Sequence, residues 1–105
     1  MEEQIMKVLF VCSGGMSSAI VVSALKKEGE KQGINIEVLA VGTQEFDAEV
    51  RNGWDVAMVA PQVKHRFDGF KASADEAGAA CEAIPAQAYS PLGGPKLLKL
   101  VTELA

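Results

Sequence analysis

Four short apolar runs, each followed by a turn and a segment with helical spacing, constrain the fold of this 105-residue chain more than any other feature. The runs predict strands over residues 8–11, 34–41, 55–60 and 81–84. Helical spacing appears over residues 18–31, 44–52, from 62 into the alanine-rich residues 71–80, and over 95–104. In the first of these segments, Ile20 is expected on the same broad apolar face as Val21 and Leu25. This alternation predicts right-handed crossovers and a parallel sheet covered on both faces. We therefore expect one α/β domain over residues 1–105, small and doubly wound, with three layers and a four-stranded parallel sheet.

Composition and charge exclude several classes of protein. Hydrophobic residues make up 49% of the chain, which is enough for a core, but no apolar run has the length of a membrane-spanning helix. The acidic start of the chain lacks the basic region of a secretory signal, so we expect a cytoplasmic protein. A net charge of −4 argues against a surface built to bind nucleic acid.

Cys12 follows the first predicted strand and begins the turn Cys-Ser-Gly-Gly-Met-Ser-Ser, which leads into the first predicted helix. Glycines let a ligand approach the backbone closely, and the amides and dipole at a helix N-terminus favour negative charge. The same environment stabilises a thiolate. We therefore predict that Cys12 is a nucleophile that carries a phosphoryl group. The predicted phosphate-binding residues are Ser13, Gly14, Gly15, Met16, Ser17 and Ser18.

The loops after the other strands are expected to lie beside this turn. In open parallel sheets, ligands bind in the crevice beyond the carboxyl ends of the strands. The residues that should gather there are 12–18, 42–44, 61–64 and 85–92.

The remaining chemically active side chains have weaker patterns. Cys81 opens the fourth predicted strand and is expected to be a packed structural thiol, with no Cys-x-x-Cys or zinc-ligand spacing to Cys12. The single histidine, His65, has no cluster of partner ligands, so we expect neither a metal nor a cofactor. The basic run from Lys64 to Arg66, with Lys71 nearby, is interpreted as a solvated helical face, and a docking or phosphate-steering role stays open. Tyr89 receives no role.

A cysteine loop at a strand-to-helix turn is also typical of low-molecular-weight tyrosine phosphatases and the arsenate reductases that resemble them. Those phosphatases need an arginine six residues after the cysteine, where this chain has Ser18. They also need a general acid, usually an aspartate in a late loop, and residues 85–95 contain no carboxylate. A phosphatase-like or arsenate-reductase-like thiol enzyme is therefore an alternative, but this chain lacks both the arginine and the general acid that it would need. A non-catalytic module that senses an anion is a second alternative.

Two segments carry a family resemblance: Leu9 to Ser18, which reads LFVCSGGMSS, and Asp55 to Val63, which reads DVAMVAPQV. With these segments, their spacing and its length, the chain resembles the enzyme IIB component of the phosphoenolpyruvate-dependent sugar phosphotransferase system, lactose/cellobiose/chitobiose class. The resemblance covers essentially the whole chain. It implies a small α/β fold like that of low-molecular-weight tyrosine phosphatases.

The resemblance also implies a function, a phosphotransferase that acts together with other components. Cys12 would accept a phosphoryl group from a phosphohistidine on a IIA protein and pass it to a sugar held by the membrane component IIC. The residues from Ser13 to Ser18 would hold the phosphocysteine through backbone amides and hydroxyls. The implied sugar is a β-linked disaccharide or a related sugar. We expect a cytoplasmic monomer that associates transiently with IIC.

Overall fold

The computed structural model describes residues 5–13, 19–89 and 92–104. Within them, four strands form one sheet in which every neighbouring pair is parallel, in the order β2-β1-β3-β4. The predicted α/β class and four-stranded parallel sheet are therefore confirmed. The strands are β1 (Met6–Cys12), β2 (Ile36–Gly42), β3 (Val56–Val59) and β4 (Ala80–Ala83).

The helices of the described residues are α1 (Ala19–Gln32), α2 (Phe46–Glu49), α3 (Phe67–Ala77) and α4 (Gly94–Leu104), with 3₁₀ segments at Pro61–Arg66 and Ala86–Ala88. None of these helices has the length and apolar character needed to cross a membrane.

Two predicted helices differ from the observed ones. The helix expected over residues 44–52 is reduced to the single turn of α2. The helix expected from residue 62 begins instead as the 3₁₀ segment, which is kinked at Val63 (φ −121°, ψ 17°), and becomes α-helical only at Phe67. Pro61 starts this segment and lacks the amide hydrogen that a continuing helix or strand would use. The alanine-rich residues then belong to α3, which ends at Gly78 in the left-handed conformation.

Side chains alternate between the two faces of the buried strands, so each face has its own core. One cluster joins Leu9 and Val11 of β1 to α2 and α3, and the other joins Val8 and Phe10 of β1 to α1 and α4. Helices therefore cover both faces of the sheet, which confirms the predicted three layers.

The amino ends of β1 and β3 are fixed to each other by side-chain as well as backbone contacts. The Lys7 amide donates to the Asp55 carboxylate (2.9 Å), and the Asp55 amide donates to the Lys7 carbonyl (2.9 Å). The Lys7 ammonium lies 4.9 Å from the centroid of a Trp54 ring, and the Trp54 indole donates to Glu49 (3.0 Å). These contacts set the register of the two central strands, and with it the relative positions of their carboxyl ends.

Ile20 is one residue whose predicted burial was wrong. The sequence pattern placed it on the apolar face of the first helix, but 60% of its surface is exposed. The buried line of α1 runs through Val21, Leu25 and Gly29, each four residues apart, and Ile20 lies off that line in the first turn. Gly29 permits the close approach of α1 to β2, since a Cβ there would lie 2.9 Å from the Ile36 Cδ1 atom.

Gly94, the buried first residue of α4, generates a stability prediction. A Cβ at this position would lie 2.7 Å from the Ala24 carbonyl oxygen of α1, and that backbone atom cannot move without moving the helix. Gly94→Ala should therefore lower the free energy of unfolding by about 1–3 kcal/mol through overpacking. Urea unfolding followed by circular dichroism measures the change.

The matched control is Gly69→Ala in α3, where an added Cβ meets no atom within 4 Å. Alanine should stabilise this helix by about 0.5–1 kcal/mol, because it loses less backbone entropy on folding than glycine. Equal effects of the two substitutions would contradict the proposed close packing of α1 against α4.

Candidate functional site

Cys12 is the last residue of β1, at the carboxyl edge of the sheet, as predicted. Its side chain is fully buried, at 0% exposure, in the cluster that also contains Val59 and Val63. Ser13, the next residue, is exposed. The other predicted phosphate-binding residues lie outside the described part of the chain, and their role stays a prediction; they are Gly14, Gly15, Met16, Ser17 and Ser18. The described chain resumes at Ala19 with α1, so the cysteine lies on a strand-to-helix connection.

The loop after β2 lies beside the cysteine. Cys12 is the register partner of Gly42, the last residue of β2. Beyond these strand ends, a cavity of about 250 Å³ is lined by Ser13 together with residues 42–45. The structure therefore brings residues 12–13 and 42–44 together, as predicted for the crevice.

The loops after β3 and β4 also meet at this edge. The Gln62 side-chain amide donates a hydrogen bond to the Tyr89 hydroxyl (3.3 Å). The Ala60 amide, just before Pro61, donates to the carbonyl of Val11 (2.9 Å), the residue before the cysteine. The Pro61-Gln62 step is thus tied to β1 on one side and to the Tyr89 loop on the other. Tyr89, which had no predicted role, joins two of the crevice loops.

Sequence reasoning missed a cleft of about 480 Å³ between α2 and α3. The Phe46 and Phe70 rings meet edge to face in it, with their centroids 5.0 Å apart, and the Arg66 guanidinium carbon lies 5.4 Å from the Phe70 centroid. The Ser73 hydroxyl donates to the Asp47 carboxylate. Helical spacing indicated these helices separately, but no local pattern in the sequence shows that α2 packs against α3.

The basic run is divided by the fold. Lys64, His65 and Arg66 are exposed on the 3₁₀ segment, as expected for a solvated face. Lys71 does not add an unpaired positive charge to these three residues, because its ammonium pairs with the Asp75 carboxylate one helical turn away (3.3 Å).

Cys81 lies within β4, opposite Ala57 of β3, and is buried away from the carboxyl end of its strand. Burial of the thiol raises the pKa of Cys81 to about 11, with Asp75 and Glu82 adding to the rise and the Lys71 ammonium opposing it. A thiol with this pKa stays protonated near neutral pH, which agrees with the predicted structural role. In the described residues, no group of three or more His, Cys, Asp or Glu side chains is arranged to hold a metal ion.

Comparison with known proteins assigns the chain to a family. Residues 7–100 match the model of the lactose/cellobiose-specific IIB subunit of the PTS system. The chain belongs to this family, and the resemblance read from the cysteine turn and the Pro61-Gln62 strand end is confirmed.

Relatives and a solved structure agree with this assignment. The chain is 29% identical over 98 residues to the oligo-beta-mannoside-specific EIIB component of Bacillus subtilis, covering 93% of this chain and 94% of that protein. It is 31% identical over 71 residues to the lactose-specific EIICB component of Streptococcus mutans, covering 68% of this chain and 12% of that protein. The solution structure of the cellobiose-specific phosphotransferase IIB component from Borrelia burgdorferi superposes with a TM-score of 0.76 at 27% identity, covering 96% and 92% of the two chains.

The state of Cys81 generates a reactivity prediction. The thiol is expected to lose its proton at a lower pH in the unfolded chain, near its ordinary pKa of 9.0, than in the folded chain, where the pKa is about 11. Because the thiolate is the reactive form, iodoacetamide at pH 8 should leave Cys81 unmodified in the folded protein and modify it in denaturant. Peptide mass spectrometry locates the label. Equal rates of Cys81 modification in the two states would contradict its packed, protonated state.

Proposed function

We propose that this chain is the phosphotransfer component of a sugar phosphotransferase system in which Cys12 carries the phosphoryl group. Cys12 accepts it from a phosphohistidine on a IIA protein and passes it to a sugar bound to the membrane component IIC. The observation that carries the proposal is the position of Cys12 at the end of a central parallel strand, on the connection to α1, in a member of the IIB family.

The first transfer is a substitution at phosphorus. The Cys12 thiolate attacks the phosphorus atom in line, the S–P bond forms as the P–N bond of the phosphohistidine breaks, and the bonding electron pair returns to the imidazole nitrogen. The backbone amides and hydroxyls of the predicted phosphate-binding residues 13–18 would then bind the phosphoryl oxygens. In the second transfer, a sugar hydroxyl attacks phosphorus, the S–P bond breaks and the thiolate leaves. The hydroxyl proton passes to a base on the sugar-binding partner.

The charge distribution of α1 supports an anion at this end of the helix. The 14-residue helix begins at Ala19, seven residues after the cysteine, and its first turn contains no acidic side chain. Acidic residues are favoured in the first turn of a helix because they compensate the positive end of its dipole. In α1 no side-chain carboxylate compensates the positive end of the dipole, so another anion can do so. A phosphoryl group on Cys12 is an anion of this kind.

A carrier must keep its phosphoryl group until the next partner arrives. Ser18 stands where a phosphatase has its phosphate-binding arginine, and residues 85–95 supply no carboxylate to act as a general acid. Both differences slow the loss of the phosphoryl group to water. They favour a holding site over a hydrolytic one.

Membership of the family supports a class of partner protein and a class of sugar. The Streptococcus mutans relative is named an EIICB component, which supports a C component as the partner of this chain. The relatives' names mention oligo-beta-mannoside, lactose and cellobiose. We propose a β-linked disaccharide or related sugar, and a cytoplasmic monomer that meets IIC transiently.

The proposal predicts stoichiometric labelling of one residue. Incubation with a phosphorylated IIA protein of the lactose/cellobiose class should add one phosphoryl group to the chain, detected by intact mass and located on the peptide containing Cys12. Cys12→Ser should abolish this label, because a serine hydroxyl is a far weaker nucleophile at neutral pH than a thiolate. Cys81→Ser is the matched control and should be labelled like the wild type. A label on any residue other than Cys12 would contradict the proposal.

A further inference from the structure

We propose that the exposed basic segment, Lys64, His65 and Arg66, is a docking site for the phosphorylated IIA donor and speeds its encounter with Cys12. This inference rests on the proposed function and assigns it a partner surface. Lys64 and Arg66 supply the permanent positive charge of the segment.

The basic segment is held close to the cysteine. It lies on the 3₁₀ segment that follows Ala60, and Ala60 is hydrogen-bonded to Val11, the residue before Cys12. Lys64 is only four residues beyond Ala60 along the chain. Exposed charges act over the Debye length, which is about 8 Å at physiological ionic strength, so Lys64 is placed to act on an anion that approaches the strand end.

The segment is also anchored rather than loose. Val63 is buried in the same cluster as Cys12, and the Arg66 guanidinium lies against the Phe70 ring. Anchoring lowers the entropy that long basic side chains lose when they bind a partner.

The positive charges of the segment are available to a partner. Lys7, Arg51 and Lys71 each form an ion pair with a carboxylate, whereas none of the ion pairs found among the described residues involves Lys64 or Arg66. Two acidic groups lie on neighbouring elements: Asp47, which lines the α2–α3 cleft with Arg66 and accepts a hydrogen bond from Ser73, and the exposed Asp68 at the start of α3.

The positive charge of this segment is opposite in sign to the net charge of the chain and to the charge of a phosphoryl group. With a net charge of −4, the chain as a whole repels a donor that carries an anionic phosphoryl group. Lys64 to Arg66 is the longest basic run in the sequence, and it lies at the edge where transfer occurs. A local region of opposite charge raises association rates by about 10-fold to 10³-fold.

The sign of the charge favours the donor over the membrane component. Cytoplasmic loops of membrane proteins carry an excess of lysine and arginine, which a basic segment would repel. A phosphoryl group adds a charge of about −2 at neutral pH. Once it sits on Cys12, it offsets the basic segment and weakens the attraction for the spent donor, which promotes release.

The test compares two double variants that remove the same charge. Lys64→Gln/Arg66→Gln alters the basic segment, and Lys31→Gln/Lys99→Gln alters two exposed lysines of α1 and α4, on the other face of the sheet. The readout is the second-order rate of phosphoryl transfer from a phosphorylated IIA protein, measured from low to high ionic strength. At low ionic strength the first variant should be slower than the control by about tenfold, and the difference should vanish at high salt.

Equal rates for the two double variants at low ionic strength would overturn the inference. Normal acceptance from the donor, combined with slow transfer to membranes containing IIC, would overturn the choice of partner. If Lys64→Gln/Arg66→Gln does not fold, Lys64→Glu tests the same charge without disturbing the Arg66–Phe70 contact, and a rate equal to wild type would overturn the inference. If the wild-type chain accepts no phosphoryl group, the proposed function itself fails, and the docking inference fails with it.

Discussion

The central position of β1 in the parallel sheet is the constraint on which the rest of the structure depends. β1 is paired on both edges, with β2 and β3, and its side chains from Val8 to Cys12 are fully buried on both faces. Full burial of a large apolar side chain contributes about 1.5–3 kcal/mol, so the strand has little freedom to shift its register. Its carboxyl end is therefore a fixed point, and the chain places its candidate nucleophile there.

The parallel arrangement then gathers the rest of the site. All four strands end at one edge, so the loops after them become neighbours although they are far apart in sequence. Pro61 follows the end of β3 and begins the 3₁₀ segment that carries the basic residues. Gln62 contacts the Tyr89 loop, and α1 follows the connection from Cys12. An acidic chain thus presents, at this edge, a helix start without carboxylates and an exposed basic run. Both suit the proposed role of this edge, which is to receive and hold a phosphoryl group.

The sequence predicted the elements better than their contacts. Four mainly apolar runs predicted four strands within two residues of their observed ends. The central strands are the clearest case, because β3 is buried along its whole length and β1 nearly so, and burial on both faces requires apolar residues. The edge strands β2 and β4 are only partly buried, and each contains an exposed glutamate. The cysteine at the strand end followed from the same pattern. Ile20 was misplaced because a broad apolar stripe does not show which of its residues form the buried line of the helix. The helix at α2 was overestimated because Phe46 and Val50 have helical spacing although the helix is a single turn. The Gln62–Tyr89 contact and the α2–α3 cleft depend on tertiary packing, which no local pattern records.

The central claim is that Cys12 holds a phosphoryl group instead of passing it to water. The most direct measurement removes the donor from the phosphorylated chain and then follows the ³¹P NMR spectrum of the chain over time. The account predicts a resonance of a phosphoryl group bonded to sulfur that persists in buffer and disappears when IIC and its sugar are added, as sugar phosphate appears. Rapid decay of that resonance to inorganic phosphate without any acceptor, or a resonance of a phosphoryl group bonded to nitrogen or oxygen, would contradict it.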